Sequence, residues 1–386
     1  MTPANPLDRF VVDRANVRHD LQRPSASWPA DGSLASRFLS PYLHHPKETT
    51  MNFALSLRAA ALDAASPRRR ALAAIAAGAA LLMPLAAPAQ GAFPSKPIRI
   101  VVPFGAGGSP DVILRLMSEP MSKALGQPVV VDNKAGASTI IGAQAVATAP
   151  GDGHTLLYTV NNTTSINPYV YKALPYKAED FVPVIRVLSV PYVLVTSVQS
   201  PYKTLADLLA AAKASPGKLS YASYGIGQGT HVAMVRLLNA AGADMLHVPY
   251  KASATTDLMA GLITTVLEPT TTAIPNIQAG KMRALAVTGP QRAEALPDVP
   301  AVNETFKGFV GDSWHGLLAP KGTPPAVVAR INDVAQKIIA TTDFQRRLKD
   351  LGLVPAGGTP ADFQKFLKDD AQAWAKVVRD NHITAD

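Results

Sequence analysis

The sequence predicts a layered α/β protein with length enough for two domains, on three observations. From Phe93 onward, short runs rich in Val, Ile and Leu alternate with segments of helical period, as in a layered α/β architecture. A strand, a glycine-rich loop and a helix start occur together at 98–115 and again at 219–238, with a related turn, NKAGASTIIGA, after the strand at 129–132. The chain is 386 residues long, 47% apolar and 17% charged, which is ample material for two cores.

Residues 1–50 are polar and lack periodicity, as expected of a disordered extension or of sequence upstream of a true start at Met51. Residues 51–89 have the layout of an export signal. Arg68 to Arg70 precede an apolar run from Ala71 to Met83, and Ala87-Pro88-Ala89 forms a small-x-small cleavage site. The reading is a periplasmic protein cleaved after Ala89; the alternative is a cytosolic Ala-rich helix. The apolar run is too short to cross a membrane comfortably, and the adjacent arginines leave both the general and the twin-arginine export routes open. Beyond residue 89 there remain 27 basic and 22 acidic residues, so the formal charge falls from +9 to +5. No basic face is interleaved with aromatics, so nucleic acid is not an expected partner. The absence of cysteine excludes disulfides, thiolate catalysis and Cys-ligated metals, and no His or carboxylate pair lies at metal spacing, so neither metal nor cofactor is expected.

Along the rest of the chain, strands are expected at 97–104, 129–132 and 154–160, then at 190–196, 219–223, 245–250, 263–268, 282–288 and 313–320. Helices are expected at 111–125, 140–148, 204–214, 230–238, 253–260, 271–279, 325–341, 343–351 and 360–380, the last three covering the outside of the first sheet. Gly105, Gly107 and Gly108, followed by Ser109-Pro110-Asp111, let the backbone approach a ligand at the positive end of a helix, where a carboxylate is favoured. The spacing fits neither a nucleotide P-loop nor a GxGxxG fingerprint. Gly136, Ser138 and Thr139 make a second such helix start, and Gly225, Gly227, Gly229 and Thr230 a third. The cluster Asn161 to Ser165 either rings a polar solute at a strand end or satisfies its own backbone. His231 is either a structural hydrogen-bonder or part of the site.

The stretches FPSKPIRIVVPFGAGGSPDVILR, VVVDNKAGASTIIGA, PGDGHTLL, EDFVPVIRV, YASYGIGQGTHVA, HVPYKASA, IQAGKMRALAVTGPQRAEALPDVP and APKGTP follow one another in that order. Together, over about 93–380, they resemble the Bug-type receptors, the extracytoplasmic solute-binding proteins of the tripartite tricarboxylate transporter (TctC-like) family. The resemblance implies a type II periplasmic-binding-protein fold, two α/β lobes joined by two crossing strands around a ligand cleft. Lobe one would be 93–196 plus 314–386, and lobe two 197–313. It also implies a carboxylate held between the first two glycine loops, partly through water, with the second lobe closing over the other end. That places Phe104, Gly108, Ser109, Asp111, Ala137, Ser138 and Thr139 on one wall, near Asn162. Gly225, Gln228, Gly229, Thr230 and His231 lie on the other. Glu268 either meets a cationic group of the solute or caps the helix after Pro269, and Thr270 to Thr272 either face the cleft or start that helix.

The expected function is therefore capture of a small carboxylate (a mono-, di- or tricarboxylate, an aromatic acid or an acidic amino acid) by a monomer that delivers it to membrane carrier subunits. A receptor presenting its ligand to a sensor kinase would need the same cleft. An exported enzyme would need a base beside a nucleophile or metal. Its candidates, His231, His247, Asp111 and Glu268, have no evident partner in the sequence.

Overall fold

The structure, a computed structural model, describes residues 93–251 and 253–385. The expectations for 1–50 and for the export segment 51–89 lie outside the described residues.

The first lobe is built on β1 (Ile98–Val102), β2 (Val129–Asn133), β3 (Thr155–Val160), β4 (Phe181–Val190), β10 (Ser313–Pro320) and β11 (Val354–Pro355), in the order β11-β4-β10-β3-β1-β2. β1 is parallel to β2 and β3, whereas β10 runs antiparallel to β3 and β4. The second lobe uses β5 (Tyr192–Ser197), β6 (Ser220–Ser223), β7 (Leu246–Pro249), β8 (Thr265–Pro269) and β9 (Met282–Val287), in the order β7-β6-β8-β5-β9. Here β6 is parallel to β7 and β8, while β5 runs antiparallel to β8 and β9.

The helices include α1 (Ser109–Leu125), α2 (Ile140–Ala147), α3 (Asn167–Val170), α4 (Leu205–Ala214), α5 (Gly229–Ala241), α6 (Thr255–Met259) and α7 (Thr270–Gln278). They continue with α8 (Val302–Thr305), α9 (Pro325–Ile339), α10 (Thr342–Asp350) and α11 (Pro360–Asp380). α1 shows why they pack: Ile113, Leu114, Met117 and Met121 recur at helical spacing and are fully buried against β1 and α9. Each such side chain contributes roughly 1.5–3 kcal/mol when removed from water.

The structure changes three expectations. Residues 181–190 form a ten-residue strand that was not expected, because Pro183 cannot donate to a ladder; it is accommodated where the β10–β4 register shifts. The single strand expected at 190–196 breaks at Pro191. Tyr192–Ser197 is already paired between β8 and β9, so the first change of sheet precedes the boundary expected at 196 and 197. The return falls just before Ser313.

The last of the three C-terminal helices does more than cover the first sheet. Phe363 and Leu367 of α11 pack with Trp314 and Leu318 in lobe one, whereas Trp374 and Val378 pack with Leu205, Leu237 and Phe309 in lobe two. Among the described residues no helix is long and apolar enough to cross a membrane.

Candidate functional site

In both lobes the loops that face the cleft leave the carboxyl ends of parallel strands, where open α/β sheets bind their ligands. β1 ends at Val102, and the chain turns through Gly107 (φ 83°) and Gly108 into α1. β6 ends at Ser223, and the chain turns through Gly227 (φ 71°) and Gln228 into α5.

The two turns are the same device built twice. In the first, the Gly107 N–H donates to Asp111 Oδ2 at 2.8 Å; in the second, the Gly227 N–H donates to His231 Nδ1 at 3.1 Å. The N–H of Gly108 reaches Gly105 O, and that of Gln228 reaches Gly225 O. Gly108 and Gln228 then stand as extended N-caps; Gly108 has no side chain to offer and that of Gln228 bonds to no helix amide, so neither helix start has a side-chain cap.

The two helix starts meet at one cleft of about 280 Å³. Phe104, Gly108, Ser109 and Pro110 line it from lobe one, and Tyr224, Gln228, Gly229 and Thr230 from lobe two. Asn162, Val160 and Val190 line it too, as do Tyr192, Ser313 and His315 at the crossings and Thr271 and Thr272 at the start of α7. Ser109 Oγ is buried and has no hydrogen-bond partner among the described residues. Thr230 Oγ1 accepts from the Tyr224 N–H at 3.2 Å and fixes the second turn. Burial pushes His315 down to about 3, so it faces the cleft as a neutral ring, with Tyr158 OH 3.3 Å from Nδ1.

Of the residues singled out from the sequence, Phe104, Gly108, Ser109, Asn162, Gln228, Gly229 and Thr230 line this cleft. Thr271 and Thr272 line it too, and the others stand behind it. Asp111 is 2% exposed, and its carboxylate accepts from Gly107, Arg115 and Asn133, which together hold it below the usual carboxylate range against its burial. His231 turns away from the cleft and stacks on His247 with ring centroids 3.9 Å apart; burial first, then His247, pushes it down to about 3. Ala137, Ser138 and Thr139 all have positive φ, a strained run for residues with a side chain. Their turn reaches the other lobe, where Gln228 Nε2 donates to Ser138 Oγ at 2.8 Å. Asn162 Nδ2 makes a second bridge, donating to Gly227 O at 3.2 Å. Gly225 shapes the second turn without lining the cleft.

Glu268 does not cap the following helix, and it stands behind the cleft wall. The helix after it starts at Pro269 without a side-chain cap, and Glu268 is fully buried behind Tyr224, whose hydroxyl donates to Oε2 at 2.7 Å. Burial raises its pKa. Sequence reasoning missed Tyr192, Tyr224, Ser313 and His315. The signal available for His315 was a lone polar ring in the apolar run SWHGLLAP. The cluster at Asn161 to Ser165 is buried, and 162–166 forms one π-helical turn. Asn162 faces the cleft, while Thr163 bonds to Thr139 and Thr159.

A larger hollow of about 780 Å³ opens beside Tyr171, Tyr176 and Lys368, but neither glycine turn lines it. Its lining includes Lys172, Lys177 and Lys368. The smaller cleft is the better site because both repeated turns converge there. Among the described residues, no cluster of three or more His, Asp or Glu side chains is placed to hold a metal ion.

Two α/β lobes crossed twice by the chain, with paired helix starts facing one cleft, define a solute-binding protein of the periplasmic type. Comparison with known proteins narrows the class. The sequence matches the tripartite tricarboxylate transporter family receptor, TctC, over residues 113–383, and the chain belongs to that family. It is 42% identical over 300 residues to the UPF0065 protein in the tcbD-tcbE intergenic region of Pseudomonas sp. strain P51, covering 76% of this chain and 89% of the relative. It is 34% identical to BugT of Bordetella pertussis, covering 75% of this chain and 90% of BugT.

Among solved structures, R. palustris Rpa4515 with adipate is 31% identical with a TM-score of 0.70, covering 75% of this chain and 99% of that one. MatC from Rhodopseudomonas palustris with bound malate is 29% identical with a TM-score of 0.67, covering 74% and 100%. The family consists of periplasmic solute receptors rather than enzymes.

Proposed function

We propose that the protein captures one small carboxylate between its lobes in the periplasm, turns nothing over, and passes the solute as a monomer to the membrane subunits of a tripartite transporter. The observation that carries this reading is the convergence of two similarly built helix starts, one from each lobe, on one cleft. Uncapped amides and the positive ends of two helix dipoles favour an anion there. The unpartnered Ser109 hydroxyl supplies a further donor. The adipate and malate held by two relatives support the same chemistry.

Capture follows from contacts that exist only when the lobes meet. A solute touching α1 and α5 at once stabilises the closed arrangement over the open one by the free energy of the second set of contacts. The bridges from Gln228 to Ser138 and from Asn162 to Gly227 lie on that path. Export is assigned to the segment ending at Ala89, and N-terminal sequencing of the periplasmic protein is expected to start at Gln90.

A thermal-shift screen across organic acids, aromatic acids, amino acids, sugars and metal salts tests the assignment. A ligand at 100 times its Kd stabilises the native state by about 2.7 kcal/mol. Carboxylates are expected to raise the melting temperature; a rise with sugars or metal ions alone contradicts the proposal.

A further inference from the structure

We infer that the solute is a compact aromatic or alicyclic monocarboxylate rather than a linear dicarboxylate, a conclusion that rests on the carboxylate reading above. Charge is the first argument. No Lys or Arg lines the cleft, and its one histidine, His315, is buried and neutral. The positive charge available is that of two helix N-termini, each equivalent to roughly half an elementary charge. Together they match about one carboxylate.

A second carboxylate would find no counter-charge, and Glu268 lies close by. It is fully buried; the Tyr224 hydroxyl donates to Oε2 at 2.7 Å, and Ser253 Oγ donates to Oε1 at 3.4 Å. With that proton committed, Tyr224 turns only its ring and oxygen lone pairs toward the cleft. An anionic group placed there meets only neutral donors, such as Thr271, Thr272 and Ser313, and is repelled by the acid behind the ring.

The lining beyond the donors is the third argument. Phe104, Val160, Val190, Tyr192, Tyr224 and Pro269 give the cleft apolar and aromatic surfaces, and its volume is about 280 Å³. Flat rings pack against such faces, edge or offset, better than a flexible chain whose far end must stay hydrated.

Titration calorimetry on the purified protein with benzoate, cyclohexanecarboxylate, adipate and malate tests the inference. Benzoate and cyclohexanecarboxylate are expected to bind at least tenfold more tightly than either dicarboxylate. Adipate or malate binding as tightly as the ring acids overturns the inference and leaves the carboxylate reading standing. If none of the four acids binds while sugars or metal ions do, both fall together. In Glu268→Gln, which keeps an acceptor for Tyr224, the ratio of benzoate to adipate affinity is expected to shrink at least threefold; an unchanged ratio overturns the role given to the buried acid.

Discussion

Asp312 stands just ahead of the strand that returns the chain to the first lobe, and burial pushes its carboxyl up to about 6 although Thr288 Oγ1 donates to it at 2.7 Å. An acid with a raised folded pKa binds its proton more tightly in the native state than in the unfolded one. Stability is therefore greatest below the ordinary value near 4 and falls as the pH rises toward 6. Asp312→Asn is expected to flatten that slope and to stabilise the protein at pH 7 by on the order of 1 kcal/mol, read from melts across pH 4.5–7.5. Asp111 has the opposite sign. Its pKa is lowered by Arg115, Gly107 and Asn133 against its burial, so its contribution is present at neutral pH and is lost as the pH falls below about 4. Asp111→Ala leaves three donors unmatched and is expected to cost about 1–3 kcal/mol at pH 7, with weaker ligand binding because the first turn loosens. An unchanged denaturation midpoint would remove Asp111 from that role. From the sequence, Asp111 is placed beside a ligand and His231 either there or as a structural hydrogen-bonder; in the structure both hold glycine turns, and residue type alone cannot separate these roles.

At the scale of the element, the glycine turn before a helix is the unit that sequence reading recovers best, because the spacing Gly107 to Asp111 recurs as Gly227 to His231. What it cannot recover is which way each helix start faces, since that depends on strand order in sheets whose neighbours are far apart in the chain. β4 stayed hidden for a local reason. Pro183 and Pro191 punctuate an apolar run that would otherwise read as strand throughout, and only the register shift against β10 makes room for Pro183. The turns also differ in tolerance. A Cβ at Gly227 would stand 2.5 Å from Val170 Cγ1 at a φ that side chains avoid, whereas at Gly105 it would meet nothing within 4 Å. Gly227→Ala is thus expected to lower ligand affinity at least tenfold, and Gly105→Ala to leave stability within about 0.5 kcal/mol of the parent. Calorimetric titration and denaturant melts of the two variants check both, and equal behaviour would contradict the paired-turn account.

At the scale of the whole molecule, the described residues form two sheets, each with its own core, crossed at Pro191 and again before Ser313, with α11 packed against both lobes. The two-lobe plan was legible from the alternation of strands and helices and from the resemblance of the quoted stretches. The reach of α11 was not, because Trp374 and Val378 continue the same helical stripe as Phe363 and Leu367 while meeting a different lobe. Nor were the aromatic walls of Tyr192 and Tyr224, which the fold brings to the cleft from different strand ends. The central claim is that one solute is held by both glycine turns at once, and amide hydrogen exchange with and without a bound carboxylate tests it most directly. Exchange is predicted to slow together across 107–112 and 228–232. Slowing confined to one of those turns, or found instead around 168–178 beside the larger hollow, would contradict it.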